Sequence, residues 1–189
     1  MTEFTVFDES NAPVASKALL KNVKAKYGFI PNLMGELAIA PSALEAYTSL
    51  TSMFGHTSLS PIEQQVVLLT TSFENNCAYD MAVHSTVALS VGIDRDSLMA
   101  IREGRVIETD SRMEALRNFT VAVVRDRGLV EKADQEMFLR AGFTKANILE
   151  VVTGVTMKKL SNYTNHIAET EIDPAFETMA WSKPLLQTA

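Results

Sequence analysis

Leu59-Ser60-Pro61-Ile62-Glu63-Gln64-Gln65-Val66-Val67, followed by Glu74-Asn75-Asn76-Cys77-Ala78-Tyr79-Asp80-Met81-Ala82-Val83-His84-Ser85, carries most of what this sequence discloses. The first part is a helix start. Ser60 suits the N-cap, Pro61 the first helical position, and Glu63 closes a capping box. The apolar residues from Val66 onward predict a helix buried on most sides. Glu74-Asn75-Asn76 breaks it, and an Asn can cap a second helix that runs to Val91, before Gly92. At about 100° per residue, positions 77, 80 and 84 of that helix fall on one face. The only cysteine of the chain and one of its three histidines therefore share a face with a carboxylate.

Outward from this stretch, nearly every segment reads as helix. Val14 to Tyr27 has apolar residues at helical spacing and stops at Gly28. Pro31 opens a short helix to Ala40, and Pro41 another to Phe54, before Gly55. Asp94 to Arg102, Ser111 to Arg127 and Glu131 to Arg140 follow, and Thr144 caps a long helix toward Ala168. Val66-Val67 and Val151-Val152-Thr153 are β-branched, but they lack alternation and lie between helix caps. The connections are short, as in a compact bundle. The expectation is a single all-α domain over residues 1–189. Gln65–His84 and Asn147–His166 share an apolar run and a terminal His at one spacing, a faint echo of a repeat.

Composition narrows the function classes. The 189 residues are 47% hydrophobic and 21% charged, ordinary for a globular protein with a proper core. A net charge of −6 without a basic stripe argues against nucleic-acid binding. No apolar run approaches the roughly 20 residues that span a bilayer, so no membrane association is expected. The N-terminal residues lack a basic-then-apolar signal pattern. A lone cysteine makes no internal disulfide and agrees with a reducing compartment. The expectation is a cytoplasmic protein, in which the glycosylation patterns at Asn118 and Asn162 carry no meaning.

With these residues in place, Leu59 to Ile93 resembles the AhpD-like branch of the carboxymuconolactone decarboxylase superfamily. Members commonly read Leu-Ser-x-x-Glu-x-Glu, then Asn-x-Cys-x-Tyr-Cys-x-x-His-Ser. The resemblance implies an AhpD-like helical bundle, an alkylhydroperoxidase-type dithiol site, no cofactor, and a homo-oligomer, often a trimer or hexamer. Cys77 and His84 match the family's positions. Two positions depart: Asp80 stands where the second cysteine belongs, and Gln65 where a proton-relay glutamate belongs. Asp80 cannot condense with a sulfenic acid, and an amide does not carry protons as a carboxylate does. The ordinary dithiol cycle is therefore closed to a single chain.

The candidate site residues are Cys77, Asp80, His84 and Gln65. Asp80 and His84 are four apart and can touch, so Asp80 is expected to raise the pKa of His84. Cys77 and His84 are seven apart, about 10.5 Å along a helix axis, too far for a direct pair. In the first helical turn, the dipole favours a Cys77 thiolate and Asp80 opposes it. Each residue also has a purely structural reading: Cys77 as a small buried hydrophobe, Asp80 as a dipole partner, Tyr79 as packing, Gln65 as a hydrogen-bond partner of His84. A Cys77/Asp80/His84 metal site lacks a fourth ligand and a zinc-type spacing. Asn162-Tyr163-Thr164-Asn165-His166 is commonly a solvated helix end, and otherwise a polar patch in a pocket or at a subunit contact. His56 reads as a loop residue, and the nine methionines as gap-fillers.

Three functions fit. One is a peroxidase-like antioxidant protein using Cys77 alone on a hydroperoxide, with an external thiol reductant. The second is a non-redox lyase-type enzyme, with Asp80 and His84 as an acid–base pair on a small carboxylate or lactone. The third is a binding or assembly protein without the chemistry.

Overall fold

The computed structural model describes residues 4–184. Among them are nine α-helices and no strand: α1 Val14–Tyr27, α2 Asn32–Leu37, α3 Pro41–Gly55, α4 Pro61–Glu74, α5 Ala78–Ser90, α6 Arg95–Glu103, α7 Ser111–Arg125, α8 Lys132–Arg140 and α9 Lys145–Ala168. A short 3-10 helix, Pro174–Met179, follows. The expected helices are all present, mostly within a residue or two at each end. The exceptions are the second, which ends at Leu37, and the seventh, which stops at Arg125. Arg127 and Gly128 there take positive φ values of 55° and 84°.

The fold is organised around α4. Residues 65 to 73 are buried without interruption, because α5, α7 and α9 pack on its different sides. The expected capping box starts it: Glu63 N donates to Ser60 Oγ at 3.3 Å, and Ser60 N donates to Glu63 Oε2 at 2.8 Å. Such a cap satisfies backbone donors that the first turn leaves unpaired. α9 crosses α3 and α4 at Gly154, where a Cβ would lie 2.7 Å from Phe54 Cε2 and 2.9 Å from Val67 Cγ1. Only glycine admits that approach. At the far side, Phe138 stacks between Phe119 and Phe143, each centroid 4.3 Å away.

The turn from α4 to α5 sets the position of the cysteine. Asn76 takes the left-handed conformation (φ 56°), which Asn tolerates better than most residues. Asn76 N donates to Phe73 O and Cys77 N to Ser72 O, at 3.1 and 2.9 Å. This is the Schellman arrangement. Cys77 thus ends one helix and serves as N-cap of the next. It precedes the first turn of α5 rather than sitting within it. The echo between Gln65–His84 and Asn147–His166 has no structural counterpart, since the first stretch is broken at this turn and the second is one continuous helix.

Candidate functional site

A polar cluster lies between α4, α5 and α9, and Asp80 is its hub. Asp80 is 1% exposed. Its Oδ1 accepts from Lys158 Nζ at 2.8 Å. Its Oδ2 accepts from Ser161 Oγ at 2.7 Å, Asn162 Nδ2 at 2.6 Å and Asn165 Nδ2 at 3.2 Å. A buried carboxylate left bare would be costly. Burial alone would raise the Asp80 carboxyl, but the Lys158 ammonium and these donors outweigh it and hold it below the usual carboxylate range. Lys158, itself fully buried, is penalised by burial as a cation, and Asp80 more than restores its charge. The two form a neutral pair inside the core.

Lys158 also settles the state of His84. Its Nζ is 2.8 Å from His84 Nε2. An ammonium only donates, so Nε2 accepts and the imidazole proton sits on Nδ1. Nδ1 lies 2.9 Å from Gln65 Oε1 and donates to it. Burial, then the neighbouring Lys158, bring His84 down to about 3, against the opposing influence of Asp80. The rise expected from Asp80 is therefore reversed. Asp80 Oδ1 is 3.8 Å from Nε2, but Lys158 stands against both and supplies the direct contacts. The hydrogen bond from His84 to Gln65 is present as expected.

Cys77 is 1% exposed. Its Sγ is 3.8 Å from Asp80 Oδ2 and accepts from Asn165 Nδ2 at 3.4 Å. Burial and then the Asp80 carboxylate push the thiol up to about 11. The opposition between helix dipole and Asp80 is thus decided against the thiolate, with desolvation as the larger cause.

A cavity of about 470 Å³ opens on the other side of this cluster. Gln65, Tyr79, Asp80 and His84 form its polar end, and Phe29, Tyr47, Phe54, Leu68, Met157 and Phe176 are among the residues of its apolar body. Cys77 and Lys158 are not part of its lining. Gln65 spends its carbonyl on His84, and among the described residues its amide nitrogen donates to no protein group. Those N–H groups are left to the cavity. The volume lies within the range of small-molecule sites, roughly 300–1,000 Å³. Among the described residues no group of three His, Cys, Asp or Glu is placed to hold a metal ion.

The late stretch of α9 departs from its expected role. Asn162 and Asn165 are buried around Asp80, not solvated; only Tyr163 and His166 of that stretch are exposed. Tyr79 does more than pack, for its hydroxyl donates to Asp173 at 2.6 Å. Lys158 and Ser161 escaped notice in the sequence. The available signal was position. Val151, Val155, Lys158 and Asn162 recur at helical spacing on the inward face of α9, so Lys158 lies in the apolar row.

Fold and site together define an all-helical scaffold in which a buried, lysine-paired aspartate lies beside the cysteine. No family model matches the chain, and no curated protein matches it. Solved structures do. One is described as an alkylhydroperoxidase AhpD core, an uncharacterized peroxidase-related protein from Ralstonia eutropha JMP134; it superposes with a TM-score of 0.83 at 20% identity, over 94% of this chain and 95% of its own. Another is an uncharacterized peroxidase-related protein from Silicibacter sp. TM1040, with a TM-score of 0.78, 19% identity and coverages of 92% and 91%. A third is the debrominase Bmp8, as a C82A variant in complex with 2,3,4-tribromopyrrole, with a TM-score of 0.78, 16% identity and coverages of 95% and 96%. At these identities the likeness establishes the fold: the chain has the AhpD-like architecture.

Proposed function

We propose that this chain is a non-redox small-molecule protein. Its cavity takes a largely apolar molecule bearing one hydrogen-bond-accepting group, such as a carboxylate or carbonyl. The observation that carries the reading is that His84, Gln65 and Tyr79 face the cavity whereas Cys77 does not. A buried thiol raised to about 11 is a poor nucleophile toward peroxide at neutral pH. The polar end offers the Gln65 amide as a donor, since its carbonyl is taken by His84. Asp80 is saturated by four donors and does not serve as a general base. His84 has both ring nitrogens engaged. The chemistry this arrangement supports is stabilisation of negative charge on a bound acceptor group, not thiol oxidation. A similar structure in complex with 2,3,4-tribromopyrrole supports a small cyclic ligand for a scaffold of this kind.

The test pairs binding with turnover. Benzoate and 4-alkylbenzoates are titrated into wild type, Cys77→Ser and Gln65→Ala, and cumene hydroperoxide consumption is followed with dithiothreitol. Binding retained in Cys77→Ser and weakened about tenfold in Gln65→Ala, as expected for one lost charge-assisted hydrogen bond, supports the reading. Peroxide turnover that disappears in Cys77→Ser overturns it, and so does an absence of any binding.

A further inference from the structure

A second buried carboxylate, Asp173, lies behind Tyr79 in the wall of the cavity. Asp173 is 3% exposed. Its Oδ2 accepts the Tyr79 hydroxyl at 2.6 Å, and its two oxygens accept from Asn32 N at 3.1 and 3.3 Å. Tyr79 lines the cavity, as do Pro31 and Leu33 on either side of Asn32. Asp173 is also the residue from which the 3-10 helix Pro174–Met179 begins. That helix brings Phe176 into the lining, with its ring 6.0 Å from Phe29. One carboxylate therefore ties together α5, the start of α2 and the segment after α9.

That segment lies over the bundle as a strap. It leaves α9 at Glu169, which takes a left-handed turn (φ 55°). The Thr170 hydroxyl donates to Glu36. Arg102 donates to Met179 O at 3.2 Å and Ala180 O at 3.0 Å. Trp181 Nε1 donates to Arg102 O at 2.8 Å, and Lys183 Nζ to Phe73 O at 2.8 Å. Phe54, Leu68 and Met157 are fixed by the packing of α3, α4 and α9. Phe176 is carried by the strap and packs against Phe29. A change at Phe176 alters a wall of the cavity.

We propose that residues 170–183 form the specificity element of the cavity, with Phe176 setting the size of molecule admitted and Asp173 acting as the positioning residue that holds Phe176 and Tyr79 in register. The inference rests on the small-molecule reading above. A purely structural strap would leave ligand ranking unchanged when Phe176 is trimmed. A specificity element would not.

The full-length chain is tested by calorimetric titration with benzoate, 4-ethylbenzoate and 4-butylbenzoate. In Phe176→Ala the preference is expected to move toward the longer members, by about fourfold for each methylene newly buried. In Tyr79→Phe the ring stays but the bond to Asp173 is lost. Binding is expected to weaken with reduced size discrimination. Emission from Trp181, the only tryptophan in the chain, is expected to shift to the red as the strap loosens. If Tyr79→Phe does not fold, Asp173→Leu, which removes the acceptor, carries the same measurements. An unchanged ranking in Phe176→Ala, with wild type binding normally, overturns the strap inference and leaves the cavity reading intact. Unchanged ranking and emission in Tyr79→Phe remove the role of Asp173. Binding by neither wild type nor Phe176→Ala overturns both readings.

Discussion

Replacing Lys158 with methionine tests the central electrostatic claim. Methionine keeps most of the apolar stem and removes the ammonium that faces Asp80 Oδ1 and His84 Nε2, each at 2.8 Å. Breaking one side of a buried ion pair costs about 3–5 kcal/mol, mostly because the other charge stays buried and unpaired. Ser161, Asn162 and Asn165 still donate to Asp80, which places the loss nearer 3 than 5. For a chain of this size, about 2–4 °C per kcal/mol translates into a fall of roughly 6–20 °C in Tm. The pH dependence gives the sharper readout. Without Lys158 the folded-state pKa of Asp80 is expected to rise above its unfolded value. A raised folded pKa gives stability that is present below the unfolded pKa and lost as pH rises through the folded one. The deficit of Lys158→Met should therefore narrow between pH 7 and pH 4. Asp80→Asn combined with Lys158→Met removes both charges and keeps an acceptor for Ser161 and Asn162. It should be more stable than Lys158→Met alone at pH 7. Urea midpoints across pH for wild type, the two single variants and the double variant measure this. A single Lys158→Met variant within about 1 kcal/mol of wild type at pH 7, or a deficit that does not change with pH, would refute the reasoning.

Two other perturbations follow from the same geometry. His84 titrates at about 3 in the folded state and near 6.5 when unfolded, so its contribution is intact above pH 6.5 and lost progressively as pH falls toward 3, by up to about 1.4 kcal/mol per pH unit. Wild type should lose stability more steeply than His84→Gln over that window, and parallel urea-midpoint curves would contradict the assignment of a neutral imidazole. Gly154→Ala sets a methyl against Phe54 and Val67; the overpacking cost of about 1–3 kcal/mol exceeds the gain of about 1 kcal/mol in helix propensity, so thermal melting should show a net loss, and a stabilised variant would mean the α9 crossing is looser than described.

The helices were legible because their ends are local. Ser60 with Glu63, the glycines at 28 and 92, and the prolines at 41 and 61 act through backbone geometry that neighbouring residues determine. The alignment of Asp80 with His84 was equally legible from a four-residue spacing. What decides the chemistry was not local. Lys158 is 78 residues from Asp80, and beside Lys159 it reads as part of a solvated face. Its place in the apolar row of α9 hints at burial, but its pairing with Asp80 follows from the packing of α9 on α4 and α5, which no spacing encodes. Burial and then that cation reverse the expected shift of His84. The strap was illegible for a different reason. Residues 170–183 have no period to detect, and Asp173 owes its role to partners at 32 and 79.

The aspartate at the position where the resemblance expects a second thiol therefore sits in a site built to hold it. A lone charge at that depth would cost several kcal/mol, a large part of the stability of an ordinary domain. Here four donors surround it, one of them the compensating cation, and three of the four, Lys158, Ser161 and Asn162, lie within five residues on α9. Removing Asp80 alone would strand Lys158, and removing Lys158 alone would strand Asp80. Either single replacement leaves a buried, unpaired charge. The pair thus balances charge in the interior, while Gln65, Tyr79 and His84 face the cavity. Asp80→Cys alone should accordingly fold poorly and show no dithiol chemistry. Asp80→Cys with Lys158→Met removes the stranded charge, and there Cys77 is expected to form a disulfide with the thiol introduced three residues on, read as loss of both free thiols under mild oxidation. Recovery of peroxide turnover in the single variant, with Lys158 still in place, would mean that the lysine does not hold the site as described.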